Sequence, residues 1–427
     1  MIELNIEKLA FGGRGIGYDN GKAVFVQYTM PGDRVTCKVV REKKRYCEAE
    51  PVELLQPAPQ RQQPRCPVFA DCGGCQWQHL PYPLQLEWKE QLFRDALVRQ
   101  HDLDEGLFDP IVSSPNEWHY RCRAQIKCRK VGDRFVAGFY RAGSHYVVDI
   151  DHCPLLALEI NSVFTRIKSH LANFDRVERI SQIDLSVDDS GQVCAIIHYL
   201  ETPLEPLWKW MQPLVEELNL ALFVQQGSKQ SLTALASGPE PFIRPLRGDD
   251  MRLHYPPGGF VQVNLEQNRN LVDDVCREVT PDSRILDLFC GIGNFSLPLA
   301  RTALRVVGIE DYAPAIDAAI ENGQRNGLDN SSFVATAAER GLQEQWQNED
   351  FEVVLLDPPR TGACEVARQL VDLRPARIIY ISCDPMTLAR DLKPLLNGGY
   401  RPLKFRAYDM FPQTGHIESL TLLERIY

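Results

Sequence analysis

The chain has 427 residues, too many for one hydrophobic core, so two or three domains are expected. Apolar residues at 44% and charged residues at 24% are ordinary for a soluble globular protein, and no apolar run approaches the roughly 20 residues that span a bilayer, so no membrane partner is expected. The net charge of −10 excludes a diffusely basic nucleic-acid binder, and any such contact must rest on a local basic cluster. The opening MIELNIEKLAFGG has no basic region followed by an apolar stretch, so no secretory signal is expected and a cytoplasmic location is. Thirteen cysteines, an odd count, suit reduced thiols, metal ligands or a nucleophile better than a disulfide framework.

Residues 1–54 alternate short apolar runs (KAVFVQY, RVTCKVV) with turn signals (FGGRGIGYDNG, PGD), the pattern of a small β module. The basic run REKKR at 41–45 fits a solvated hairpin as well as an RNA contact. A Pro- and Gln-rich linker, LQPAPQRQQPR, leads into Cys66, Cys72 and Cys75. Residues 82–100 predict an amphipathic helix with Leu84, Leu86, Trp88, Leu92, Phe93, Leu97 and Val98 on its apolar side. In RCRAQIKCRK, strand alternation puts Arg121, Arg123, Lys127 and Arg129 on one face and Cys122, Ala124, Ile126 and Cys128 on the other. Residues 120–141 hold seven basic side chains and one acid, and aromatics stand close by, so phosphate contact with base stacking is a use for this strand. A merely solvated face is the alternative. Residues 150–260 carry no readable motif. From 262 onward, strand-like runs (RILDLF, RVVGI, FEVVLLD, RIIYIS) alternate with helix-like segments, which is a doubly wound α/β sheet. The runs 401–408 and 417–426 predict a terminal antiparallel hairpin.

DLFCGIGN at 287–294 sits where a strand gives way to a helix, and Gly291 and Gly293 allow a tight turn and close approach of a ligand. A dinucleotide fingerprint wants glycine at 296, which is serine, and a Walker loop wants Gly-Lys-Ser/Thr, which is absent. The next strand ends in Glu310, 23 residues after Asp287, where an acid can accept both ribose hydroxyls of a nucleoside. An adenosine ligand without pyrophosphate, S-adenosylmethionine, fits this loop.

Asp357-Pro-Pro-Arg360 ends another strand, at the edge where open α/β sheets bind ligands. Arg360 stands where methyltransferases acting on exocyclic amines place a stacking aromatic. Cys383 lies between the strand RIIYIS and a helix expected to start near Pro385, and the helix N-terminus is expected to favour its thiolate. Cys290, inside the glycine turn, reads as a packing residue. Thiolate addition at C6 of uracil would make C5 nucleophilic, and Glu418 in HIES, at the start of the last strand, is a candidate base for the C5 proton.

The motifs DLFCGIGNFSLPLA, LLDPPRTG, ISCDPMTLARDL and DMFPQTGHIESL resemble those of the RNA uracil-C5 methyltransferases, over nearly the full chain. The resemblance implies Cys383 as nucleophile, Glu418 as proton acceptor, and cofactor contacts by Gln262, Phe289, Asn294, Glu310 and Asp357. It departs at Ala337, where an Asp or Asn often faces the adenine. The N-terminal module is similar to a TRAM domain, an OB-like RNA-binding β-barrel. Cys66, Cys72, Cys75 and Cys153 are similar to the four ligands of an iron–sulfur [4Fe-4S] cluster; their spacing alone also allows zinc. The implied architecture is a TRAM barrel over 1–54, a mixed α/β central domain over 55–260 with the cluster, and a Rossmann-like catalytic domain over 261–427. Helix 82–100 is implied to pack on the catalytic domain. Members with TRAM and cluster resemble those that modify 23S rRNA, with transfer RNA as the alternative substrate. A cytosine-C5 enzyme typically carries a second cysteine beside the Asp-Pro motif, and DPPR has none. A non-catalytic iron–sulfur or RNA-binding module is a further alternative. A monomer is expected.

Overall fold

The computed structural model describes all residues except 228–230, 345, 347–348 and 427. Among the described residues, three large sheets organise it, beside a two-stranded pair of Phe242–Ile243 with Leu253–His254. The first takes in six strands between Ile2–Asn5 and Tyr46–Gln56. Leu4, Ile6, Val24, Val26, Val35 and Cys37 fill its interior. Glu7 N donates to Ile16 O at 2.8 Å, so the first strand region closes on the third. Seven strands form the second sheet, with Arg123–Val131 and Ile180–Val187 near its middle and helices Leu158–Leu171 and Glu205–Leu218 packed on it.

The third sheet has eight strands. Its order is Ser331–Ala335, Arg305–Glu310, Arg284–Leu288, Val353–Leu356, Arg377–Ser382, Glu418–Arg425, Tyr400–Tyr408 and Phe108–Val112. The first five are parallel, and their buried Val/Ile/Leu runs are what a sheet covered on both faces requires. Helices Ala338–Glu344, Cys364–Leu373 and Pro385–Asn397 cover one face, and Leu265–Glu278 with Ser296–Ala300 cover the other. Glu418–Arg425 runs antiparallel to both of its neighbours, which makes the terminal hairpin expected from the sequence.

The edge strand Phe108–Val112 enters from far upstream and pairs parallel with Tyr400–Tyr408. Helix Tyr82–His101 precedes it and joins the core of the third sheet through Phe93 and Leu97. The fully buried line of this helix is Gln85, Lys89, Phe93 and Leu97, not the all-apolar face that its leucines suggest. Leu84, Trp88 and Leu92 are only partly buried, against Trp77 and Leu80. Buried polar side chains at Gln85 and Lys89 need partners, and both find them in the loop before the last strand.

An aromatic stack packs the upstream segment on the sheet. Phe108 lies 4.9 Å from Phe405, ring over ring, and 5.9 Å from Phe93, edge to face. Phe108→Ala is therefore expected to cost about 3 kcal/mol, the loss of a packed aromatic. A thermal scan should show a clear drop in the melting midpoint; an unchanged midpoint would mean that this edge does not hold the fold.

Candidate active site

The reactive residues meet at one edge of the third sheet. Phe289, Glu310, Asp357 and Cys383 stand at or just past the carboxyl ends of four parallel strands. Glu418 opens the antiparallel strand, so its amino end lies at that same edge. Register fixes the neighbourhood: Ser382 pairs with Ser419, which sets Glu418 beside Cys383.

Gln262, Phe289, Asn294 and Asp357 line a small pocket, with Gly291 in its floor. Phe289 takes φ +66 and Gly293 φ +92, so the chain turns here in a conformation that only Gly adopts freely. Asn294 and Asn268 exchange amide hydrogen bonds at 2.8 and 3.0 Å, which orients Asn294. Glu310 accepts from Tyr312 N at 3.0 Å. Burial pushes the Asp287 carboxyl up to about 7, against the Ser296 hydrogen bond that opposes it. Burial, then the charge of Glu310, pushes Asp357 up to about 7, and Glu310 is raised by burial and by Asp311. Asp287 Oδ1 is buried without a hydrogen-bond partner. Crowded, desolvated carboxylates are relieved by a cation, and a sulfonium ligand supplies one. Cys290 is buried and its thiol is raised far by burial, as a packing residue requires.

Cys383 is half-buried directly after its strand, and Asp384 caps the helix Pro385–Asn397 by accepting from Met386 N at 2.9 Å and Thr387 N at 3.0 Å. The thiol is pushed up to about 12, first by burial and then by the charge of Glu418, with Arg360 opposing. The helix N-terminus does not deliver the ready thiolate expected from the sequence, because Asp384 already occupies its free N–H groups and burial dominates. Glu418 is almost fully buried, and its carboxyl is raised by burial and by Asp357, again with Arg360 opposing. His416 lies in the same field, lowered to about 4 by burial and by Arg360. The charge of Arg360 thus acts on Cys383, Glu418 and His416 alike; its place after Asp-Pro-Pro marked it only by what it replaced.

Comparison with known proteins gives the same reading at the level of the whole chain. The family described as tRNA (Uracil-5-)-methyltransferase matches residues 81–426, and the TRAM domain matches residues 1–52. The chain belongs to the uracil-5 methyltransferase family. It is 35% identical to the 23S rRNA (uracil(1939)-C(5))-methyltransferase RlmD of Salmonella paratyphi A, over 100% of this chain and 96% of that protein. The RlmD of Photobacterium profundum is 35% identical over 98% of this chain and 93% of its own. Among solved structures, the Pyrococcus abyssi tRNA (uracil-54, C5)-methyltransferase in complex with S-adenosyl-L-homocysteine superposes with a TM-score of 0.78 at 25% identity, covering 99% of this chain and 100% of that one. As a family member the chain is an S-adenosylmethionine-dependent RNA uracil-C5 methyltransferase.

Beside the small pocket, with Phe260 shared between them, lies a wider groove of about 400 Å³, lined by Arg121, Arg123, Lys127, Tyr140 and Phe260 among others. The strand Arg123–Val131 alternates as expected, with Ala124, Ile126 and Cys128 buried. Arg129 is exposed and does not line the groove. Arg123 sits 5.8 Å over the ring of Phe260, and Lys127 sits 5.7 Å over Tyr140. Phe260 is 70% exposed and lines both the groove and the cofactor pocket. Sequence reasoning missed it; the signal was an aromatic behind two glycines in GGFVQVN. No helix among the described residues is long and apolar enough to cross a membrane.

Cys66, Cys72, Cys75 and Cys153 are free thiols drawn into one neighbourhood. Burial is the leading cause that raises each, and the charges of the others add to it at Cys72, Cys75 and Cys153. Backbone N–H groups point at these sulfurs: Val68 at Cys66, Gly74 at Cys72 at 3.4 Å, and Leu155 with Leu156 at Cys153. Among the described residues, no three His, Cys, Asp or Glu side chains form a ready-made metal-ion site.

The raised thiol has a measurable consequence. Below its pKa, the thiolate fraction of Cys383 grows about tenfold per pH unit. Site-resolved alkylation of Cys383 by iodoacetamide, in RNA-free protein, should climb steadily from about pH 7 to about pH 10. A plateau near the ordinary thiol range, about pH 8.5, would show that the helix N-terminus wins after all.

Proposed function

We propose that this chain transfers a methyl group from S-adenosylmethionine to C5 of one uridine in 23S rRNA, through a covalent adduct at Cys383. The observation that carries the chemistry is the cross-strand placement of Cys383 beside Glu418, next to the acidic cofactor pocket. The full-length likeness to RlmD proteins supports 23S rRNA as the substrate.

Gln262, Phe289, Asn294, Glu310 and Asp357 hold the methyl donor. The Cys383 thiol gives up its proton to water, its sulfur bonds to C6 of the uracil, and the C5–C6 π electrons move to the enolate oxygen at C4. C5 then takes the methyl carbon as the carbon–sulfonium bond breaks and S-adenosylhomocysteine leaves. The Glu418 carboxylate removes the C5 proton, the C5–C6 double bond re-forms, and the S–C6 bond breaks to release thiolate. A carboxylate with a raised pKa is a strong acceptor for this proton, and the acid limb of the pH–rate profile should lie above the ordinary carboxylate range. The groove with Arg121, Arg123 and Lys127 carries the RNA backbone to the pocket.

Glu418→Gln should leave addition and methyl transfer running and stall elimination. Methylated RNA then accumulates on the protein as a slow band on a denaturing gel, even with ordinary uridine, and Cys383→Ala in the same background removes the band. Wild-type turnover by Glu418→Gln would assign the base elsewhere; full turnover by Cys383→Ala would end the covalent mechanism.

Cys66, Cys72, Cys75 and Cys153 are proposed to hold a [4Fe-4S] cluster, with the N–H groups of Gly74, Leu155 and Leu156 stabilising anionic sulfur. Such a cluster braces the segment between the N-terminal barrel and the central sheet. Anaerobically purified protein should carry about four irons per chain with broad visible absorbance, and Cys72→Ser or Cys153→Ser should lose iron and lower the melting midpoint. Zinc in place of iron would overturn this assignment.

A further inference from the structure

The loop 409–417 connects the last two strands, and the pair Tyr408 and Glu418 closes its base. Glu418 is therefore the exit residue of this loop, and whatever fixes the loop fixes the carboxylate. Gln413 stands at its centre, fully buried, at φ +68. A non-glycine residue in that region is strained and persists only where the surroundings hold it.

What holds it comes almost entirely from upstream segments. Gln85 Nε2 donates to Gln413 Oε1 at 2.9 Å, and Gln413 N donates to Gln85 Oε1 at 2.9 Å. Gln76 N and Trp77 N both donate to Gln413 O, at 3.1 and 3.0 Å. Tyr120 OH donates to Pro412 O at 3.1 Å. Lys89, fully buried, donates to Asp409 Oδ1 at 2.5 Å and to Phe411 O at 3.0 Å. Gly415 lies against the N-terminal barrel, where a Cβ would stand 2.7 Å from Gly13 N. The barrel turn, the cysteine segment, the first helix and the start of the basic strand all converge on these nine residues.

We propose that Gln413 is a positioning residue for the reaction: the Gln85 side-chain amide, bonded to its side-chain oxygen and its backbone N–H, and the grip of Gln76 and Trp77 on its carbonyl, hold Glu418 at the angle that proton removal from C5 requires. The proposal rests on Glu418 being the base. Gln413 touches no reacting atom and acts through the loop alone. Cys75 immediately precedes Gln76, so the cysteine segment reaches the reaction centre through Gln413.

The test compares two rates in the full-length protein with an RNA that the wild type methylates. Single-turnover assays with methyl-labelled donor follow the appearance of label in RNA, bound or free, and the release of labelled RNA from the gel-stable adduct. Gln85→Ala removes both hydrogen bonds to Gln413, and Gln413→Gly removes the one made by its side chain while keeping φ +68 without strain. Each variant should keep methyl transfer within about twofold and slow release about tenfold or more, since a displacement of about 1 Å can cost up to about a hundredfold. The double variant should be no slower than the slower single, because both remove one interaction. If Gln85→Ala does not fold, Gln85→Leu, of similar volume, serves with the same expected split. Equal slowing of both rates, or release at the wild-type rate, overturns the proposal. Glu418→Gln is run in parallel. If it traps adduct while the glutamine variants release normally, the positioning role fails alone; if it traps none, the base assignment fails and the positioning role with it.

Discussion

The pairing of Ser382 with Ser419 is the constraint on which the chemistry depends. It joins a parallel strand to an antiparallel one at the heart of the sheet and brings the carboxyl end of the first beside the amino end of the second. Cys383 and Glu418 face the same space only because of that register. A slip of one residue would turn Glu418 to the opposite face of the sheet. Such a slip is opposed on both sides, since Glu418–Arg425 is also tied to Tyr400–Tyr408 along its length. The edge strand Phe108–Val112 then secures that hairpin from outside.

Around this pair the electrostatics are frustrated in a useful way. Asp287, Glu310, Asp357 and Glu418 are all desolvated and all raised, and the Cys383 thiol is raised with them. Arg360 opposes the rise at Cys383 and Glu418, but burial outweighs it. The site therefore favours a cationic donor, and burial favours the protonated form of its nucleophile. Reactivity must arise when the substrates assemble, which protects an accessible thiol from side reactions.

Much of the site was legible in the sequence because its residues sit at strand ends marked by local motifs. DLFCGIGN, DPPR and the cysteine before Asp-Pro each announce a strand-to-loop transition, and the structure sets Phe289, Asp357 and Cys383 along one edge. What could not be read depends on residues distant in sequence. Gln85 and Lys89 look like surface positions on a helix, yet they are buried because their partners, Gln413 and Asp409, lie more than 300 residues away. The rise of the Cys383 thiol is invisible to a local reading for a related reason. A helix N-terminus is visible locally, whereas the burial and the carboxylates that overrule it come from other strands. Phe260 was missed because one exposed aromatic has no periodic pattern to betray it.

The methylated nucleoside and the RNA that carries it decide what this enzyme does. Purified enzyme would be given methyl-labelled donor with unmodified 23S rRNA and, in parallel, unmodified transfer RNA, and the digested nucleosides separated by chromatography. The account predicts label in 5-methyluridine at a single position of the 23S rRNA and none in the transfer RNA. Label in 5-methylcytidine, or in transfer RNA with the 23S rRNA untouched, would contradict it.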